Sequence, residues 1–289
     1  MPEEAGVRWR CRERTIRFGP RPLIMGILNV TPDSFSDGGQ FATPEAAIRH
    51  GLAMAGDGAD IIDVGGESTR PGSVELPPAE ELARVIPVIE GLCRECRGAA
   101  LLISVDTRKA LVAERALAAG AAIVNDVSAL TCDAGMADTV RRYGAGVVLM
   151  HMRGQPATMQ RAPHYDDVVH EVEAYLVRRV AELEAQGLDR ETLALDPGIG
   201  FGKTLEHNLQ LLSRLEVLVR HGRPVLVGLS RKSFLGTLTG RKPGDRLAGS
   251  LTGLVVAALR GARILRVHDV KESVDAVKVV AALSGETAT

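Results

Sequence analysis

The stretch "LIMGILNVTPDSFSDGG", Leu23–Gly39, changes character in the middle. Its first part is an almost unbroken apolar run, as expected of a strand buried on both faces of a sheet. Its second part holds hydroxyls, two acids, a proline and paired glycines, which belong in a turn-rich loop. An amphipathic segment follows, "TPEAAIRHGLAMAGDGA" (43–59), with Thr43 as N-cap, Pro44 at the first helical position and a close in glycines. This strand–loop–helix unit is the one whose repetition decides the fold.

Seven more short apolar runs follow it: "ADIIDVGG", "LLISVDT", "AAIVNDV", "GVVLMHM", "TLALDPG", "PVLVGLS" and "RILRVHD". Amphipathic segments alternate with them. "TRKALVAERALAAG" is read as a helix starting from Thr107 and ending at Gly120. "YDDVVHEVEAYLVRRVAELEAQG" is the longest, with acids early and arginines late to match the helix dipole, and "DVKESVDAVKVVAALSG" completes the series. Eight strands alternating with eight helices in about 250 residues predict an α/β fold, a single (β/α)8 TIM barrel. A doubly wound open sheet has the same rhythm, because periodicity does not show closure. Residues 7–18, "VRWRCRERTIRF", alternate apolar with charged and read as an amphipathic strand with a solvated arginine face. No aromatic stacking platform accompanies those arginines, which argues against an RNA contact. The predicted organisation is an N-terminal extension over 1–22, forming a β-hairpin, and one barrel domain over 23–289.

A net charge of −1 gives no electrostatic case for nucleic acid or an anionic membrane as partner. No apolar run approaches the roughly 18 residues of a membrane span, and the N-terminus lacks the apolar core of a signal peptide. A cytoplasmic location is the expectation. Of the four cysteines, Cys93 and Cys96 form a CxxC, but no second ligand pair stands at zinc-site spacing. They read as two helix cysteines one turn apart.

The ends of the runs carry the chemistry. They hold Asn29, Asp63, Asp106, Asn125 with Asp126, Met150 with His151, Asp196, Ser230 with Arg231 and Lys232, and Arg266 with His268. In a closed barrel these ends converge on one mouth, where barrel enzymes place their active sites. Asp106, Asn125 and Asp196 supply acceptors and an amide, a set suited to a flat heterocycle with an amidine-like edge. Each taken singly also fits an internal polar network, and Asp106 with Thr107 also fits a helix cap. The second group is cationic: Arg70, Arg231, Lys232, Arg266 and His268. Arg266 and His268 are two apart, so on a strand they point the same way. Loops after strands seven and eight are the habitual phosphate site of this barrel, and with Asn29 these cations point to an anionic substrate such as a phosphate ester or diphosphate. The loops "TPDSFSDGG" and "GGESTRPGS" form a third group, suited to closing over a site. "GIGFGKT" (198–204) is not a P-loop, since Pro197 stands where that motif needs glycine. It reads as a glycine-lined turn that lets a flat ligand approach the backbone.

With those residues assembled, the chain closely resembles the dihydropteroate synthases. The matching stretches are "GILNVTPDSFSDGG", "IIDVGGESTRPGS", "SVDT", "IVNDVS", "LDPGIGFGKTLEHN", "VGLSRKSFLG" and "RVHDV", in the family's order from residue 23 to 270. The family joins p-aminobenzoate to 6-hydroxymethyl-7,8-dihydropterin diphosphate, releasing diphosphate and giving dihydropteroate for folate synthesis. The resemblance implies that Asp106, Asn125, Met150, Asp196, Gly228 and Lys232 hold the pterin. It implies a p-aminobenzoate site bordered by Phe35, Thr69, Pro71, Phe201, Lys232 and Ser233. Asn29, Thr69, Arg70, Arg266 and His268 would surround the diphosphate, with Asn29 the protein ligand of its Mg2+. Catalysis would fall to Asp33, Thr69, Arg70, Lys232, Arg266 and His268, through a dissociative substitution whose pterin cation the aniline nitrogen traps. The implied partners are these small-molecule substrates and a second copy of the chain in a homodimer. Two rival readings are a pterin methyltransferase domain serving a corrinoid protein and a non-catalytic pterin-binding paralogue. Neither should release diphosphate.

Overall fold

The computed structural model describes residues 6–31, 43–68, 75–156 and 158–284. Eight parallel strands, β3 (Leu23–Asn29), β4 (Ile61–Gly65), β5 (Leu102–Asp106), β6 (Ile123–Asp126), β7 (Gly146–Met150), β8 (Leu193–Asp196), β9 (Leu226–Val227) and β10 (Ile264–Val267), lie in the order β8-β7-β6-β5-β4-β3-β10-β9. The sheet closes where the Leu195 N–H donates to the Pro224 carbonyl at 2.9 Å and Leu195 bridges Val225. The open-sheet alternative is therefore excluded. Strand seven of the barrel is the shortest, only two residues of "PVLVGLS" keeping ladder geometry.

Closure sorts side chains by parity. One residue from each strand, Met25, Ile61, Leu102, Ile123, Val148, Ala194, Leu226 and Ile264, packs into a core inside the barrel. Strand side chains alternate faces, so the positions two residues further on also point inward. Those positions are Ile27, Asp63, Ser104, Asn125, Met150, Asp196, Gly228 and Arg266. The interior thus passes from wholly apolar to largely polar within one step of the pleat. The larger core lies between the outward strand residues and the helices.

The helices are α1 (Pro44–Gly56), α2 (Pro78–Glu95), α3 (Ala110–Ala118), α4 (Met136–Tyr143), α5 (Val168–Ala185), α6 (Leu205–Ser213), α7 (Glu216–Val219), α8 (Ser233–Thr239), α9 (Leu247–Leu259) and α10 (Val270–Leu283). The two beyond the expected eight arise because the chain between β8 and β9, and again between β9 and β10, forms two helices. Thr43 caps α1, its Oγ1 accepting from the Ala46 N–H at 3.3 Å. The helix expected to start at Thr107 starts three residues later. Thr107 Oγ1 is taken by the Lys109 N–H, and the Ala110 N–H donates to Asp133 from the next loop. The cap thus comes from a distant residue, which local sequence does not reveal. Cys93 lies in the last turn of α2 and Cys96 is its C-cap; both are free thiols.

Before the barrel, β1 (Arg8–Cys11) and β2 (Arg14–Arg17) form an antiparallel hairpin. Trp9 and Cys11 insert into the core inside the barrel, plugging its N-terminal end, and the Trp9 Nε1–H donates to the Thr192 carbonyl at 2.9 Å. Arg8, Arg14 and Arg17 of this hairpin are exposed, as a solvated face requires, while Arg10 and Arg12 are half-buried. Arg10 pairs with Asp189 at 2.7 Å, Arg12 donates to the Leu117 and Ala121 carbonyls, and Arg14 donates to those of Ala99 and Leu101. Arg12 thereby takes a carbonyl of the last turn of α3, which lacks an intrahelical donor, and Arg14 those of the loop between α2 and β5.

Replacing Trp9 by Ala empties the plug. Trp9 is 0% exposed, so Trp9→Ala should destabilise the fold by about 3–5 kcal/mol, measured by urea unfolding followed by circular dichroism. A loss below about 1 kcal/mol would show that the plug is not part of the core.

Candidate functional site

The polar ends of the strands meet at the C-terminal mouth of the barrel. Register places Asn29 beside Gly65, Gly65 beside Asp106, and Asp106 beside Asn125, one row across four strands. Gly65 carries no side chain between its neighbours, and a Cβ there would lie 3.7 Å from both Asn29 Oδ1 and Asp106 Oδ2. Below this row Arg266 reaches across the barrel. Its Nε donates to Asp63 Oδ2 and its Nη2 to Asp106 Oδ2, both at 2.7 Å. Asn125 Nδ2 donates to the same Asp63 oxygen at 2.9 Å. Four strands are thereby tied by one guanidinium and two carboxylates.

Charge states follow from this packing. Burial raises the Asp106 carboxyl to about 7, with Arg266 pulling it down and the negative charges of Asp63, Glu81 and Asp126 pushing it further up. Burial works against the Arg266 charge, but Asp63 and Asp106 outweigh it and hold the guanidinium more firmly protonated than usual. Asp196 is likewise raised by burial, opposed by Lys232 and by the Gly198 N–H that its Oδ1 accepts at 2.7 Å. Burial lowers Lys232 to about 8, Asp196 opposing and Arg266 assisting. Titration near neutral pH of a buried acid and a buried base is a signature of functional sites.

The second wall is the turn after β8. Lys232 donates to the Ile199 carbonyl, and its Nζ stands 4.6 Å from the centre of the Phe201 ring, a cation–π contact. Gly200 makes room: its φ is +81°, and a Cβ there would come within 2.9 Å of Lys232 Cδ. Gly198, at φ +68°, is pressed so closely that a Cβ would meet the His151 carbonyl oxygen at 1.9 Å. These glycines serve backbone packing and space for Lys232, as a turn that is not a P-loop requires. Ser233 opens α8 directly after Lys232. His268 follows β10, with its N–H and its Nδ1 3.3 and 3.1 Å from Ser230 Oγ.

Asn29, Asp106, Asn125, Met150, Asp196, Gly228 and Arg266 occupy inward positions at one end, with His268, Lys232, Phe201 and Ser233 on the loops above them. Asp33, Phe35, Thr69, Arg70 and Pro71 lie outside the described residues. Three strand-end residues have other work. Asp126 points away from the mouth and accepts from the Ser128 N–H and hydroxyl and the Leu130 N–H, fixing a turn in which Ala129 and Leu130 have positive φ. Arg231 is bound by Asp269 through two bonds of 3.1 and 2.5 Å. His151 is buried against Tyr165 and Tyr175 beneath the turn after β8. Conversely, Asp63, which the sequence places at a strand end without assigning it to a subsite, is a partner of Arg266 and Asn125. Its signal is parity, since it lies two residues after inward Ile61. Lys203 and the cluster of Glu67 with Glu81, Arg108 and Lys109 at the start of the loop after β4 carry no such sequence signal.

This geometry belongs to a known class. The chain matches the pterin binding enzyme family over residues 25–268 and belongs to it. It is 50% identical over 261 residues to the dihydropteroate synthase of Escherichia coli strain K12, covering 90% of this chain and 91% of that protein. Among solved structures, Xanthomonas albilineans dihydropteroate synthase with 4-aminobenzoic acid superposes with a TM-score of 0.90 at 51% identity, covering 98% of this chain and 100% of that one. The same enzyme in complex with 7,8-dihydropteroate gives 0.86 at 49% identity, covering 97% and 100%.

His151 generates a pH prediction. Burial first, then the positive charges of Lys203 and Arg153, push its imidazole from 6.5 down to about 2. Between those values the unfolded chain holds a proton that the folded chain does not, so this contribution is full above about pH 6.5 and drains as pH falls. On going from pH 7.5 to 5.0 the native chain should lose roughly 1–2 kcal/mol more stability than His151→Gln. Equal losses in urea unfolding would contradict it.

Proposed function

We propose that this chain catalyses the dihydropteroate synthase reaction, in which 6-hydroxymethyl-7,8-dihydropterin diphosphate and p-aminobenzoate become 7,8-dihydropteroate and diphosphate. It is a transferase of folate synthesis. The observation that carries this reading is the two-part mouth: an acid–amide floor centred on Arg266, and beside it the Lys232–Phe201 wall. Relatives half identical over nine-tenths of the chain carry the same name.

Asp106, Asn125 and Asp196 accept from and orient the N–H edge of the pterin, with Met150 and Gly228 alongside. Ionised, a carboxylate accepts two parallel N–H bonds, which a neutral amide in its place does not. Lys232 joins the two subsites, since it faces Asp196 electrostatically and Phe201 in space. Phe201, Lys232 and Ser233 border the p-aminobenzoate. Arg266 and His268, with Arg70 and Thr69, take up charge as diphosphate leaves. The chemistry is a dissociative substitution, because the pterin ring delocalises the charge left on its methylene and the aniline nitrogen needs no strong base. Asp33, Phe35 and Pro71 complete the assignment, with Asp33 stabilising and shielding the cation.

Magnesium fits as a companion of the diphosphate substrate. Among the described residues no three His, Cys, Asp or Glu side chains are grouped to hold a metal. Asn29 offers one neutral amide oxygen beside Asp106, and magnesium bound to phosphates commonly takes one or two protein ligands and keeps several waters. Bound there, the ion supplies positive charge to the leaving diphosphate.

We further assign the chain to a homodimer. On α9, Val256 and Leu259 are 41% and 64% exposed, and on neighbouring α10, Val279 and Leu283 are 59% and 81% exposed. These four large apolar side chains lie on adjacent outer helices, and exposed apolar surface of this kind marks association sites. No described helix is long and apolar enough to cross a membrane, and the four free thiols fit a reducing compartment such as the cytoplasm.

Supplied with the pterin diphosphate, p-aminobenzoate and magnesium, the protein should release diphosphate and form dihydropteroate; no product above background refutes the reading. Asp196→Ala should weaken pterin binding by roughly 10–100-fold, the loss of charge-assisted hydrogen bonds, whereas Asp33→Ala should lower turnover with pterin affinity largely kept. Equal losses of affinity in the two variants, read by calorimetry, contradict the division of roles. Separately, the native chain should run at twice its monomer mass in light scattering, and Val256→Glu with Leu259→Glu should halve it. A native monomer refutes the dimer.

A further inference from the structure

The lysine of "GFGKT" has no part in the assignments above, and its place in the fold is unusual. Lys203 is 3% exposed. Its Nζ lies 3.0 Å from the Phe201 carbonyl oxygen, 3.3 Å from the His151 carbonyl oxygen and 3.1 Å from His151 Nδ1. An ammonium has three N–H donors, and three acceptors surround it. His151 is neutral in this pocket, and with its proton on Nε2 its Nδ1 accepts from Lys203. Burial lowers Lys203 to about 7, the negative charge of Asp196 opposing and the positive charges of Lys232 and Arg153 assisting.

What the three bonds hold is the turn that carries Phe201. That turn lies backbone against backbone on residues 151–153: Gly198 against the His151 carbonyl and Gly202 against that of Arg153, where a Cβ would intrude to 2.5 Å. Other side chains grip the same turn from outside. Tyr165 OH donates to the Gly202 carbonyl at 2.9 Å, and the Gly200 N–H donates to Asn208 Oδ1 at 2.7 Å. Lys203 alone, among these contacts, bonds the Phe201 carbonyl itself. The Phe201 ring is the surface on which Lys232 lies.

From this geometry we propose that Lys203 is a positioning residue for the p-aminobenzoate subsite: by pinning the Phe201 carbonyl to the end of β7, it sets the ring and, through the ring, Lys232. The inference rests on the assignment of Phe201 and Lys232 to that subsite. It predicts a defect larger for p-aminobenzoate than for the pterin, because Phe201 serves only the former, while Asp106, Asn125 and Arg266 come from strands outside this turn; Asp196, which accepts from the Gly198 N–H, and Lys232 pass on a smaller share to the pterin.

The test is steady-state kinetics of Lys203→Met, which removes the donors and keeps the apolar stem. The KM for p-aminobenzoate should rise between roughly tenfold and a hundredfold, the scale of an ångström-sized misplacement, while the KM for the pterin diphosphate rises several-fold less. Against a Phe201→Ala background the same substitution should add almost nothing, since the group it positions is gone. An equal rise in both KM values, or additive effects in the double variant, overturns the proposal. If Lys203→Met does not fold, Lys203→Arg carries the test with the same split expected, because the charge stays while a planar fork does not place three donors on one nitrogen. If the native protein forms no dihydropteroate, the functional reading fails by itself. Hydrogen exchange then decides for Lys203: amides of 198–202 should exchange faster in Lys203→Met with those of β3–β6 unchanged, and unchanged exchange in the turn overturns the positioning role.

Discussion

A guanidinium largely enclosed in the mouth of a closed barrel loses most of its hydration shell, so it must be met by carboxylates. Arg266 is met by two, Asp63 and Asp106, and Asp63 in turn takes the amide of Asn125. The rest of the mouth depends on this cluster. It joins β10 to β4, β5 and β6 across the barrel rather than along the sheet, so the floor is held by side chains as well as by ladders. It also sets the chemistry. Asp106 is buried enough for its carboxyl to be raised, yet stays bound to a permanent cation, which presents its oxygens in a fixed direction. Interactions prepared in this way need no reorganisation when substrate arrives.

The turn after β8 supplies the other half and is built on a different rule. It contributes backbone more than side chains, and its glycines permit contacts as close as that of Gly198 with the His151 carbonyl. One ring, Phe201, and one reaching lysine, Lys232, are then aimed from it and from the start of α8. The site therefore couples a floor stiffened by an ion cluster with a wall stiffened by backbone packing. Lys232 touches both, through the field of Asp196 and the face of Phe201, which suits it to a reaction that must align two substrates.

Much of this was legible in the sequence for a definite reason. Parallel strands covered by helices are apolar on both faces, so the eight runs stand out, and the polar residues that end them are conspicuous by contrast. Asp106, Asn125, Asp196 and Arg266 were found in this way. The misreadings share one cause, which is partners distant in the chain. Thr107 did not open α3 because Asp133 supplies the cap, and Arg12 of the hairpin is drawn in because the Leu117 carbonyl of α3 lies within reach. Asp126, His151 and Arg231 have the composition of site residues, but a turn, an aromatic pocket and Asp269 claim them. Lys203 was discarded with a false P-loop because its target, the carbonyl two residues before it, has no signature in side chains.

The order of strands and helices, the apolar runs and the chemistry available at each strand end were determined by the sequence alone, since each depends on local periodicity and residue type. Only the tertiary structure decided that the sheet closes, through the bond from Leu195 to Pro224. Closure then decided which strand-end residues face one another. A strand's two faces differ by one residue in register, and only a closed barrel makes one of them an interior in which Arg266 must meet Asp63 and Asp106.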